Sequence, residues 1–183
     1  MKELFNAVAE VANKFNIDPV FATSVALIET NGKPYLANGF PVIRFEKHVF
    51  LRYLRKNKSA PHLLRRAECL QGCGVETYNK ACEINKKLAM LSTSFGMFQI
   101  MGFNYETVGY SNVEDFVQAM YDSVENQIDA FCKFVVVNRL QSVINEKNYA
   151  RFAYQYNGPN YKVNNYDKKL RSNYKAIETA IKE

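Results

Sequence analysis

The chain has 183 residues, enough for one compact domain with a sizeable core and little room for a second. At 48% hydrophobic and 23% charged residues, its composition excludes a disordered or fibrous protein. The net charge of +6 favours a polyanionic partner, either nucleic acid or a bacterial envelope, and no stretch approaches the roughly 18 apolar residues that cross a bilayer.

Glu3, Glu10 and Lys14 interrupt the apolar positions between Met1 and Asn16, so no secretory signal is expected and the chain should start in the cytoplasm. Leu4, Val8, Val11 and Phe15 recur at helical spacing. Asp18-Pro19 then resets the chain as an N-cap followed by a first helical proline. The helix that follows turns Phe21, Val25 and Ile28 inward and should stop near Gly32. Phe40 to Phe45 reads as a strand or extended arm, and Glu46 to Arg55 returns to helix.

From Asn57 to Gly74 the pattern is broken, polar and basic, and reads as irregular; a helix is expected over Val75 to Leu91. A short helix is expected from Ser94. Ser111 and Glu114 form a capping-box pair ahead of Val113, Val117, Met120, Val124, Ile128 and Phe131, which predicts one long, central, buried helix. Phe152 and Tyr156 lie on a helix stopped by Gly158-Pro159, and Tyr166, Leu170, Tyr174, Ile177 and Ile181 mark a final amphipathic helix. The expected class is mostly α (α+β): a helical bundle around a central buried helix with a small β element. No repeat or low-complexity linker divides residues 1–183, so a single domain without a separate binding module is expected.

Candidate chemistry starts at Glu29. It closes the apolar run Ala26-Leu27-Ile28 just before Gly32. Apolar neighbours desolvate a carboxylate there, the negative end of the helix opposes its charge, and no basic residue precedes it nearby. Each effect raises its pKa, as a general acid for glycosidic cleavage requires. The plain alternative is a surface glutamate at a helix end. In Phe95-Gly96-Met97-Phe98-Gln99-Ile100, Gly96 permits close approach and Gln99 places an amide among apolar neighbours. That amide must find partners, in a carbohydrate or in backbone. In Tyr154-Gln155-Tyr156-Asn157-Gly158-Pro159, tyrosine offers a ring face for a sugar and Asn157 a donor and an acceptor.

In this order, a glutamate closing an apolar helix, a Gly-x-x-Gln-Ile segment and an Ala-x-x-Tyr-Asn-Gly-Pro segment resemble the lysozyme-like superfamily of lytic transglycosylases and goose-type lysozymes. The chain is most similar to the N-acetylmuramidase domain of bacteriophage endolysins, in Ala26 to Glu29, Pro41 to Phe50, Ser94 to Asn104 and Tyr156 to Pro159, and overall from about Phe21 to Tyr174. The resemblance implies a lysozyme-like fold and a muramidase domain over 1–183. Its substrate would be bacterial peptidoglycan, cut at the β-1,4 bond between N-acetylmuramic acid and N-acetylglucosamine. It implies Glu29 as the catalytic glutamate and Gln99, Tyr156 and Asn157 as lining of the sugar cleft. Where members often follow the glutamate with Ser and two Gly, this chain has Thr30-Asn31-Gly32.

Glycoside hydrolysis normally uses a second carboxyl group, for which Glu46 is the candidate; the alternative is an ion pair of Glu46 with Arg44 or Lys47. Without a second carboxylate, the sugar's own 6-hydroxyl can replace water, which gives a lytic transglycosylase. His48 is read as packing or hydrogen bonding. Lys56, Lys58, Arg65 and Arg66 are candidates for attraction to the envelope. Cys69, Cys73, Cys82 and Cys132 are expected as free thiols. Cys69, Cys73 and Cys82 with His62 lack the paired spacing of structural zinc sites, so neither metal nor cofactor is expected. No helix face carries Lys or Arg at successive turns, against nucleic-acid binding. The chain is expected to act on the wall as a monomer, without stable membrane insertion, and the resemblance to phage endolysins implies that it reaches the wall through a pore made by another protein.

Overall fold

The structure, a computed structural model, describes residues 1–182. Helix α1 (Lys2–Ala12) buries Val8, Val11 and Ala12, and its line is prolonged by a 3-10 turn over Asn13–Phe15. Asp18 caps α2 (Pro19–Thr30): its Oδ1 accepts from the backbone nitrogens of Val20 (2.8 Å) and Phe21 (3.3 Å). Every residue from Val20 to Ala26 is buried, polar Thr23 and Ser24 included, because their hydroxyls donate to the carbonyls of Pro19 and Val20 one turn back.

Strand β1 (Ile43–Phe45) is shorter than the expected arm and leads into α3 (Lys47–Lys56). The segment read as irregular contains α4 (Pro61–Glu68), which starts on Pro61 and buries Ala67. Only eight residues long, α4 repeats its apolar face too few times to stand out among basic neighbours. Helix α5 (Val75–Leu91) leaves helical geometry at Asn85, whose Oδ1 accepts from Leu88 N at 3.0 Å and recaps the second half.

The helix expected from Ser94 is a hairpin instead. Strands β2 (Thr93–Phe95) and β3 (Ile100–Met101) pair antiparallel, and β1 pairs with β2 in the register Ile43–Phe95, Arg44–Ser94 and Phe45–Thr93. The turn between them uses positive φ at Gly96 (74°) and Gln99 (52°), which no helix tolerates in sequence. A Cβ on Gly96 would lie 2.7 Å from the Gln127 side chain, so glycine is needed for space as well as for conformation.

The long helix expected from Val113 to Phe131 is two: α6 (Val113–Asp122) and α7 (Val124–Val137). Ser123, fully extended, interrupts them and caps α7 by accepting from Asn126 N at 3.1 Å. Asn112, not Ser111, caps α6. The apolar face continues across the break, which is why periodicity alone joined the two. Helix α8 (Gln141–Asn145) is short, α9 (Tyr149–Asn157) ends at Gly158 as read, and α10 (Tyr166–Ala180) closes the described chain.

A single core runs through these elements, built on Phe21, Phe45, Phe50, Phe95, Phe98, Phe116, Phe131 and Phe152, all essentially inaccessible to solvent. The deeply buried central helix is α2, flanked by α1 and α10. Helix α10 lies antiparallel along it, held at both ends: Tyr174 donates to Asp18 Oδ2 (2.8 Å) and Tyr166 to Glu29 Oε1 (2.7 Å). On the far side of the sheet, α3, α4 and α5 pack on one another. The class is the one expected, mostly α with one small sheet, but the central helix is α2 and not the segment from Val113 to Phe131.

Candidate active site

Glu29 stands on the last turn of α2. Asn31, at φ 55°, takes the left-handed conformation usually left to glycine, and the Asn31 and Gly32 nitrogens bond back to the carbonyls of Leu27 (3.1 Å) and Ala26 (3.0 Å). The helix therefore ends tightly although Asn replaces a glycine. Thr30 fastens this end to the hairpin by donating to the Met97 carbonyl at 3.0 Å. Met97 is in turn held by Gln127, which is fully buried and whose Oε1 accepts from Met97 N at 2.7 Å.

Glu29, Glu46, Gln99, Tyr156 and Asn157 line one cleft of about 240 Å³, together with Arg44, Ser94 and Met101. Five residues spread over 129 positions of sequence thus meet where the end of α2, the sheet and the end of α9 converge. Burial pushes the Glu29 carboxyl up from 4.5 to about 7, against the hydrogen bond from Tyr166 and the positive charge of Arg44, both of which favour the ionised form. Desolvation, the first of the causes given by the sequence, dominates; the nearby cation missing from the local sequence arrives from β1. Burial, and secondarily the neighbouring Glu29, pushes Tyr156 and Tyr166 well above 10, so both remain hydrogen-bond donors across the working range.

The other cleft residues differ in how free they are. Glu46 is held by Arg44 (Nε to Oε1, 3.0 Å) and lies 3.5 Å from His48 Nδ1, whereas Lys47 turns away to the carbonyls of Glu68 and Leu70. Gln99 spends its amide inside the protein: Nε2 donates to the Val42 (3.0 Å) and Gly96 (2.9 Å) carbonyls, and Oε1 accepts from Ser94 Oγ (2.8 Å). Backbone carbonyls and the Ser94 hydroxyl thus satisfy the amide within the protein, and Gln99 shapes the hairpin. Tyr156 donates to the Phe98 carbonyl at 2.6 Å while its ring stacks on Phe152 (5.1 Å, 16°), leaving its oxygen only an acceptor for a ligand. The exposed Asn157 amide makes no internal hydrogen bond among the described residues.

Sequence reading missed Tyr166 as a site residue. A tyrosine at core spacing in an amphipathic helix looks like any other core residue, and only the packing of α10 on α2 brings its hydroxyl to Glu29. Arg44 figured only as a partner of Glu46, yet it faces Glu29 as well. Of the possible metal ligands, His62 and Cys69 border a different cavity, and among the described residues no three His, Cys, Asp or Glu converge on one point. The four cysteines are unbridged.

Comparison with known proteins agrees with this geometry. The Muramidase family, described as N-acetylmuramidase, matches residues 18–178. Among solved structures, the crystal structure of the Burkholderia AP3 phage endolysin superposes with a TM-score of 0.81 at 30% identity, covering 96% of this chain and 71% of that one. No curated protein matches in a sequence search. The match takes in α2, the sheet, α9 and nearly all of α10, and so every residue of the cleft. The chain belongs to the N-acetylmuramidase family, glycoside hydrolases that act on bacterial peptidoglycan.

Proposed function

We propose that the protein acts as an endolysin, cleaving the β-1,4 bond between N-acetylmuramic acid and N-acetylglucosamine with Glu29 as general acid. The observation that carries this reading is the Glu29 carboxyl, held near 7 by burial at the wall of the cleft that Glu46 and Asn157 also line. A carboxylic acid with that pKa is substantially protonated at neutral pH and can donate to a leaving glycosidic oxygen. Tyr166 donates to Oε1, so the transferable proton sits on Oε2. Tyr166 also stabilises the carboxylate left after transfer, while Arg44 offsets its charge. Asn157, with an uncommitted amide, is assigned to substrate binding; Tyr156 and Gln99 form the cleft floor.

Glu46 is assigned the second role, orienting or activating water, with Arg44 holding it in place. That same pair favours a second reading. A carboxylate engaged by Arg44 and close to His48 is less free to act as base, and attack by the muramic 6-hydroxyl then releases 1,6-anhydro products. Residues 1–183 are proposed to form one catalytic domain that works as a monomer, since one chain supplies the whole cleft. We place its action at the wall after synthesis in the cytoplasm.

The test compares wild type with Glu29→Gln on purified peptidoglycan. The expected loss of rate is at least ~10²-fold, the lower range for removing a general acid, with folding retained. New reducing ends on muramic acid identify hydrolysis; 1,6-anhydro ends identify transglycosylation; an undiminished rate for the variant overturns the assignment of Glu29.

A further inference from the structure

The Glu29 cleft does not end at the sheet. Arg44, Ser94 and Met101, one from each strand, line it, and a second cavity of about 250 Å³ continues it past the β3 edge. The two share Gln99, Met101 and Tyr156. Beyond those residues the second cavity is walled by the 3-10 turn Gly102–Asn104, which follows β3, and by the last turn of α7.

Of the 13 phenylalanines, Phe103 alone is exposed, at 41%. A single exposed apolar side chain is ordinary, but this one is fixed at the wall of a groove. Gly102 before it lies so close to the Met90 carbonyl that a Cβ would overlap it, which pins the turn to α5. The half-buried Phe134 ring, edge-on to Tyr156 (centroids 5.6 Å apart, 87°), extends the apolar surface. Two amides accompany it. The Asn104 side chain makes no hydrogen bond among the described residues, and Asn138 spends only its Nδ2, on the Phe134 carbonyl at 2.8 Å, leaving Oδ1 to accept. No lining residue is charged.

An aromatic face with free amide groups and no charge complements a neutral, N-acetylated sugar, whose ring offers an apolar face and whose amide and hydroxyls need partners. The carboxylates of a peptide stem would meet no cation there. Continuity with the Glu29 cleft makes the occupant a further part of the strand bound in that cleft. We propose that the groove beyond β3 is an additional glycan-binding site, seating an N-acetylglucosamine on Phe103 with Asn104 and Asn138 as its hydrogen-bond partners. This rests on the reading of the Glu29 cleft as a glycan-cleaving site, and it makes long strands the preferred substrate.

Glycan strands of graded length test it, both intact and freed of their peptide stems by an amidase. In the Glu29→Gln background, which binds without cutting, affinity should rise with strand length. Adding Phe103→Ala should flatten that rise and cost the longest strands at least about fivefold, with or without stems. With Glu29 in place, Phe103→Ala should raise KM by a similar factor and leave kcat nearly unchanged, because the contact lies away from the bond that breaks. Phe103→Tyr should restore both affinity and KM, and thermal unfolding of Phe103→Ala should match wild type. No loss on Phe103→Ala, an equal loss at every length, or a fall in kcat alone would overturn the proposal. So would a loss confined to strands that keep their stems, which would give the groove to the peptide. Those outcomes leave the Glu29 reading standing, whereas a wild type that cuts no glycan would overturn that reading and this proposal with it.

Discussion

At the scale of single residues, the proposed chemistry turns on how Glu29 is pulled in two directions. Desolvation holds its proton on, while the Tyr166 hydroxyl and the Arg44 charge favour letting it go. A general acid must be protonated, so kcat/KM should fall as pH rises through about 7. Tyr166→Phe removes a group that stabilises the ionised carboxyl, so it should move that falling limb to higher pH, as should Arg44→Gln. Rate profiles on purified peptidoglycan from roughly pH 5 to 9 check this, and a limb moving downward would contradict it. Tyr174→Phe is the natural control. It breaks the bond to Asp18 at the other end of α2, and should cost about 1 to 2 kcal/mol in urea unfolding without moving the limb.

Among the elements, the hairpin β2–β3 does most to form the site, although it is the smallest. Its turn carries Gly96, where a Cβ would meet Gln127, and Gln99, left-handed and bonded to the strand approach at Val42. Gly96→Ala should therefore destabilise the protein by roughly 2 to 3 kcal/mol, through positive φ and overpacking together. It should also lower activity, because Met97 anchors Thr30 beside Glu29. Thermal unfolding and wall-clearing assays on that variant decide the point.

This hairpin is also where sequence and structure part. Helices with strong punctuation were legible: Asp18-Pro19 opening α2, Gly158-Pro159 closing α9, and the spacing of α10. Ser94 read as a helix cap because serine serves caps and strands alike, and glutamine in a left-handed turn is too rare to be anticipated. The break at Ser123 was hidden by an apolar face continuous on both sides. Glu29, Gln99, Tyr156 and Asn157 were legible as cleft residues through family resemblance and Glu46 through the need for a second carboxyl, whereas Arg44, Ser94, Met101 and Tyr166 could be recognised at the site only from tertiary packing.

For the molecule as a whole, Glu29 sets a stability trend opposite to that of most carboxylates. Its folded pKa lies above its unfolded value, so the folded state binds the proton more tightly. The stabilisation is complete below about pH 4.5 and is lost as pH rises through about 7, on the order of 3 kcal/mol in all. Glu29→Gln should accordingly be more stable than wild type at pH 8 and nearly equal at pH 4. Calorimetry at those two pH values checks it; an equal difference at both would place the effect elsewhere than in ionisation.

Tyr166 reaches Glu29 from 137 residues further along the chain. A growing polypeptide therefore emerges from the ribosome with its acid still wet and its pKa ordinary, and α2 waits through most of translation for the helix that will cover it. Until that segment docks, the Glu29 carboxyl titrates in water like any other, and a chain ending before residue 166 should clear cell walls no better than Glu29→Gln.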